Sequence, residues 1–259
     1  MRSLPHSPDP ARHAATAQRL DLALELLKDM QELPARVLFA EQLVLRSLLD
    51  HLEDAPPART VQGIRKGLAV YCAALEAHLV PSPRELWHWV LRALAVRDLS
   101  AAHLIATAPA ELWEVPGNPV LYPMMFQLKA VLALLRYDEP EADRWARALH
   151  AAVFEDPPTA GMKPNLDEMQ NVAQLVLALH VKDRDQFNAA LRVRTQVREK
   201  SLARNGRNAP IGFLDLEGLG LCALARDRGM ATTVRHAYLP LDLLDAARVP
   251  PEDEPRQGS

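Results

Sequence analysis

Glycine and aromatic residues are scarce in this chain of 259 residues: there are 10 glycines, and Phe, Trp and Tyr together make 5%. β-branched residues are thin as well, and strands favour those residue types, so a sheet protein is disfavoured. There are two cysteines, Cys72 and Cys222, far apart in the sequence. That excludes a disulfide framework. Each sits in an apolar helical pattern and reads as a small buried hydrophobe. The formal net charge of −3 is too small to argue for nucleic acid or a steering field. No apolar run approaches the roughly 20 residues that span a bilayer. The start, MRSLPHSPDP, lacks the apolar core of a signal peptide. The expected location is the cytoplasm.

What is present is helix-forming. Hydrophobic residues make 49% and charged residues 24%, an ordinary globular balance. Ala and Leu dominate the apolar set, and both are strong helix formers. Proline is plentiful at 21 residues, as expected at helix starts and between helices. Helical spacing marks Ala14–Met30, Ala35–Glu53, Thr60–Leu79, Ser100–Thr107, Met124–Arg136, Pro140–Phe154, Gln186–Arg204 and Leu241–Ala247. Ser82-Pro-Arg-Glu85 reads as a capping box opening a helix through Trp87, Val90, Leu91 and Leu94. Asn165-Leu-Asp-Glu168 reads as the cap of another, and Pro109 to Pro123 reads as irregular. The two ends, 1–10 and 250–259, read as flexible tails around one domain over 11–249.

Three joints look alike, at LRALAVRDLSAA around Asp98, LALLRYDEPEA around Asp138 and LALHVKDRDQF around Asp183. Each is an apolar helix end, a basic or aromatic residue, an Asp and a second helix. They recur about every 40 residues, a spacing found in stacked helical hairpins. Short Asp turns also commonly join antiparallel helices, so true repeats stay open. The expected fold is all-α, a stack of antiparallel helical hairpins, with at most a short extended segment near the C-terminus.

No catalytic, cofactor or metal pattern stands out. Glu85-x-x-His88 has the spacing of di-iron bundles, which need a second such pair. None exists, and Glu85 reads first as the capping partner of Ser82. Gly218-Leu-Gly220-x-x-Ala223 mimics a dinucleotide fingerprint but lies in a helix-forming run without a βαβ context. Arg184, Arg192, Arg194, Arg198, Lys200, Arg204 and Arg207 form a basic run without interleaved aromatics, so a solvated helix face is favoured over nucleic acid. Candidate partner-binding residues are Trp113 and Tyr122, in the irregular segment, and Trp89, because Trp87 and Trp89 cannot share one helix face.

The C-terminal stretch Phe213–Pro240 is the densest in signals. Asp215 is a good N-cap. Gly218 and Gly220 thin the following helix, each at about 1 kcal/mol relative to Ala, which makes sense if another helix or backbone segment lies very close. Gly229 fits a left-handed stop. Thr232 to Val234 favours an extended run, and Tyr238-Leu239-Pro240 ends it.

This order resembles the C-terminal signature of the immunity protein 49 family. The matching positions are Leu214-Asp215, Leu221, Ala223-Leu224-Ala225, Arg228-Gly229 and Tyr238-Leu239-Pro240. Upstream, Lys182 to Phe187 followed by Ala190-Leu191 is similar to the family's preceding helix entry. The resemblance covers the last third of the chain. It implies a bacterial self-protection protein that binds a cognate toxin in the cytoplasm, without catalysis, metal or cofactor. On that reading Asp215, Gly218, Gly220, Gly229, Tyr238 and Pro240 are structural signature residues. A helical-repeat adaptor binding a peptide or protein on a concave face stays open, as does a helical enzyme using Glu85 and His88.

Overall fold

The computed structural model describes residues 10–113, 122–155, 163–205 and 214–248. The predicted tails lie outside them, except that Pro10 already begins the first helix. In chain order the helices are α1 (Pro10–Leu27), α2 (Leu33–Leu52), α3 (Pro57–Glu76), α4 (Pro83–Ala95), α5 (Leu99–Ala106) and α6 (Ala110–Trp113). Then come α7 (Tyr122–Leu135), α8 (Glu139–His150), α9 (Lys163–Val181), α10 (Arg184–Asn205), α11 (Leu216–Asp227) and α12 (Leu241–Ala246). Helix α8 runs on into a π-helical turn, Ala151–Glu155. Among the described residues there is no strand, and the fold is all-α. The predicted extended run holds a lone antiparallel bridge, His236 with Leu239.

Local chemistry explains the helix ends. Proline occupies the first turn of α2, α3, α4 and α8, where its missing N–H is not needed. The Ser82 capping box forms in full: Glu85 N donates to Ser82 Oγ at 3.2 Å, and Ser82 N donates to Glu85 Oε2 at 2.7 Å. Helix α9 begins two residues before Asn165, so Asn165 lies inside its first turn and not at the predicted cap position. Proline is tolerated in a first turn, so Pro164 does not bar that earlier start.

The three Asp joints share one geometry. Arg97, Tyr137 and Lys182 have φ of 54°, 57° and 57°. Immediately after them, Asp98 N, Asp138 N and Asp183 N donate to Ala93 O, Ala133 O and Ala178 O at 2.9, 3.0 and 2.9 Å. That is the six-to-one bond of a Schellman stop. Each Asp carboxylate then accepts from a backbone N–H in the first turn of the next helix. One aspartate therefore closes one helix and opens the next. Left-handed backbone costs a non-glycine residue about 1–2 kcal/mol, partly offset by the extra unfolded-state entropy of glycine. Lys182→Gly is accordingly expected to raise stability by about 0.5 kcal/mol, read from the urea midpoint at unchanged slope.

Consecutive helices pack as neighbours along α1–α2–α3 and along α7–α8–α9–α10. The exception is α11, which returns to lie against α4, while α12 packs on α3. The α4–α11 approach is very close. A Cβ at Gly220 would overlap the backbone carbonyl of Leu91; between α2 and α3 the approach is close as well, a Cβ at Gly67 lying 2.8 Å from Ala40 O. Gly220 on the thin face of α11 thus has its physical reason in α4, and Gly218 in the Asp215 and Arg194 side chains packed on it. Gly229 has φ +79° and ends α11 as expected.

Two arginines tie this return to the rest. Arg228, nearly fully buried, donates to Leu179 O at 2.9 Å and pairs with Glu139 at 2.9 Å. Arg65 donates to both Val96 O and Ala247 O, at 2.9 and 3.0 Å. Both side chains place positive charge on carbonyls at helix C-terminal ends, where the helix dipole favours it. One buried apolar cluster runs from Ala40 to Ala247.

Candidate protein-binding face

Tyr122 is the first residue of α7, not part of an irregular segment as expected, and it is half-buried. One turn on, Phe126 lies 5.8 Å from it, centroid to centroid. Phe126 in turn stacks at 5.6 Å on Trp145 of α8. Lys129 Nζ sits 4.2 Å from the Trp145 ring centroid and Arg144 Cζ 4.5 Å from it. The result is a ladder of three half-buried rings with two cations over the last. Cations over an indole face are attracted by its quadrupole. Tyr137, in the α7–α8 turn, is 71% exposed, and Phe154, at the end of the hairpin, is 36% exposed. In a chain this poor in aromatics, five of them occupy one hairpin.

The other candidates are placed differently. Trp113 ends α6, and its side chain lies outside the described residues. Trp89 is a correction: it is fully buried and stacks on Tyr71 at 4.4 Å, with Arg92 over the ring. Trp87 is buried too, at 2% exposure. The two tryptophans do lie on different faces of α4, but α4 is covered on several sides, by α3, α5, α7 and α11. Phe126 and Trp145 escape a reading of the sequence. The four-residue step from Tyr122 to Phe126 is a visible signal, whereas the approach of Trp145 is tertiary.

A second cluster is buried and polar. Arg194 Nε donates to Asp215 Oδ2 at 2.5 Å, and its Nη2 donates to Asp215 Oδ1 at 2.8 Å. These side chains are 5% and 1% exposed. Asp215 also caps α11, accepting from Gly218 N at 2.9 Å. Burial alone would raise the Asp215 carboxyl above its ordinary value. The charges of Arg194 and then Arg198 outweigh that and hold it below. Glu217 accepts from Arg194 at 3.2 Å and lies 2.6 Å from His88 Nδ1. It too is depressed, because the His88 bond and the Arg194 charge overcome its desolvation.

The residues behind the catalytic and cofactor alternatives are engaged in other contacts. Glu85 bonds the backbone of Ser82, and His88 faces Glu217, so the two do not converge. Among the described residues no group of three or more His, Cys, Asp or Glu is arranged around a metal position. The Gly218-x-Gly220 run is buried inside α11, Gly220 against Leu91 of α4 and Gly218 against Asp215 and Arg194, not open to a phosphate. Burial pushes the Cys72 thiol up to about 11 and the Cys222 thiol up to about 12. Neither is a thiolate at neutral pH. A groove of about 460 Å³ runs between α5, the α7–α8 turn and the end of α11. Two of its lining cations are already engaged, Arg97 with Asp227 and Arg228 with Glu139.

The fold therefore places the chain in the all-α class, as stacked helix pairs closed by the α11–α12 return. A family model described as Immunity protein 49 matches residues 58–243, and the chain belongs to that family. The match begins in α3 and ends in α12, well beyond the C-terminal third that carries the sequence resemblance. Its family role is toxin immunity in the general sense. No curated protein and no solved structure gives a significant match. Among the described residues no helix is long and apolar enough to cross a membrane.

Proposed function

We propose that this protein acts in the cytoplasm as a single folded unit that binds a cognate antibacterial toxin directly, as protection between competing bacteria. It neutralises the toxin by covering its surface, not by catalysis. The ladder of Tyr122, Phe126 and Trp145 is the observation that carries this reading. Large rings with partly exposed faces bury much area on contact and lose little side-chain entropy, which is why such residues dominate binding energy. Lys129 and Arg144 over Trp145 hold the ring in place and supply polar contacts at its edge. Trp113, at the end of α6, joins this proposal as a further contact residue.

The test is binding of the purified cognate toxin to the wild type and to a Phe126→Ala, Trp145→Ala variant. The expected loss is at least about 2 kcal/mol, roughly thirtyfold in Kd, with the helical signal retained. Unchanged affinity in a folded variant would move the contact face elsewhere.

A further inference from the structure

Helix α10 lies at the margin of the stack, packed chiefly on α9. Its inward side carries Phe187, Leu191, Arg194 and Thr195, all buried. Its other side is open, with Ala189, Arg192, Gln196 and Lys200 exposed, Val193 46% exposed and Val197 42% exposed. Ala189, Val193 and Val197 follow a four-residue step, so they form one apolar stripe. The segment 231–236 runs alongside. Asn188 Oδ1 accepts from Thr233 N at 2.7 Å, Asn188 Nδ2 donates to Ala231 O at 3.0 Å, and His236 lies 3.5 Å from Glu199. That tether brings exposed Arg235 next to the helix.

The charge on this face is predominantly positive. Arg192, Lys200 and Arg235 pair with no carboxylate among the described residues, unlike Arg194 and Arg198, which turn inward to Asp215. Glu199 is the acid within the patch, and it faces His236. Asp185 stands at the start of the helix beside Arg184. A protein with a net charge of −3 therefore presents unpaired cations around an apolar stripe on one outer helix.

We infer that the open face of α10 is a docking surface for an acidic amphipathic helix or ridge of the toxin. The valine stripe takes its apolar side, and Arg192, Lys200 and Arg235 take its carboxylates. This rests on the direct-binding reading above and adds the chemistry of the partner. The complementarity sets the choice of a protein occupant: the stripe offers valines to an apolar side chain, and no aromatic ring of α10 is exposed for base stacking. Flanking charges of this kind act mainly on association rate, whereas ring anchors act on dissociation. The α10 face and the α7–α8 ladder are thereby separable.

The experiment measures association and dissociation rates of the cognate toxin with full-length protein at low and physiological salt. It compares the wild type, Arg192→Glu/Lys200→Glu, Arg192→Gln/Lys200→Gln and a control, Lys66→Glu at an exposed position of α3. The same proteins are titrated with a short single-stranded RNA. The expected result is a fall in association rate of about tenfold or more for the Glu variant at low salt. The Gln variant falls less, the salt dependence is shallower in both, and the control is unchanged. The inference is overturned if wild type binds and both α10 variants, folded by circular dichroism, keep its rates. It is also overturned if RNA, not toxin, is the ligand the variants lose. A wild type that binds no toxin at all removes the direct-binding reading itself, and this inference with it.

Discussion

Asp215→Ala is expected to lower unfolding free energy by about 4–5 kcal/mol, the largest single effect in this molecule. Two losses combine. The substitution removes the N-cap of α11, worth about 1 kcal/mol. It also leaves the Arg194 guanidinium, 5% exposed, without its main counter-charge, and breaking a buried pair in this way costs about 3–5 kcal/mol. Whole proteins are stable by only about 5–15 kcal/mol, so much of the native population is at stake. The melting temperature is expected to fall by about 10 °C. Asp215→Asn keeps a capping oxygen but loses the charge, and is expected to cost about 3 kcal/mol. Adding Arg194→Met to Asp215→Asn is expected to recover part of that loss, because the orphaned charge goes with the arginine. If the double variant is no more stable than Asp215→Asn alone, charge burial is not what the pair resolves.

The same pair sets a pH dependence. The Asp215 carboxyl titrates below its unfolded value in the folded protein. Its contribution is therefore fully present above the unfolded value, about 3.9, and is lost as pH falls below about 4. Glu217, depressed as well, adds to the same acid window. Urea midpoints measured from pH 7 down to pH 3 are expected to fall faster for the wild type than for Asp215→Asn. The two curves should converge in acid. Parallel curves would mean that Asp215 titrates alike in both states.

Gly220→Ala is the second large effect, with an expected loss of about 2–3 kcal/mol. Alanine gains about 1 kcal/mol of helix propensity over glycine. Its Cβ, however, meets the backbone carbonyl of Leu91, which has no rotamer to yield. Helices α4 and α11 must then separate, and overpacking of that kind costs about 1–3 kcal/mol or more. Gly220→Val should be worse still. Chemical denaturation reads both. A neutral or stabilising Gly220→Ala would mean that α4 and α11 approach no more closely than the ordinary packing distance of about 8–10 Å for two helices with side chains between them.

What was legible in the sequence is local. The Ser82–Glu85 box, the Asp turns at 98, 138 and 183, the Asp215 cap and the Gly229 stop each depend on a few neighbouring residues, and all form. The two glycines of α11 announced close neighbours, but not that Gly220 faces α4 and Gly218 the Arg194 side chain, since a long-range pairing leaves no periodic trace. Arg194 read as part of a solvated basic run. Its burial depends on Asp215, 21 residues away, which no spacing rule connects. Trp89 read as a surface residue because one helix face seemed enough to bury a single tryptophan. Helix α4 is instead packed on several sides. Tyr122 kept a partly exposed place, but its meaning came from Phe126 and Trp145, which only the α7–α8 packing brings to it.

On the proposed function, protection follows from physical occupancy of a toxin. The direct measurement is growth of cells expressing the toxin together with each variant, set beside the Kd of the same purified pairs. The wild type is expected to rescue growth and to co-purify with toxin in a stoichiometric complex. Rescue is expected to weaken in step with Kd for the Phe126→Ala, Trp145→Ala variant. Rescue without a detectable complex, or rescue that ignores Kd across the variants, would contradict that function.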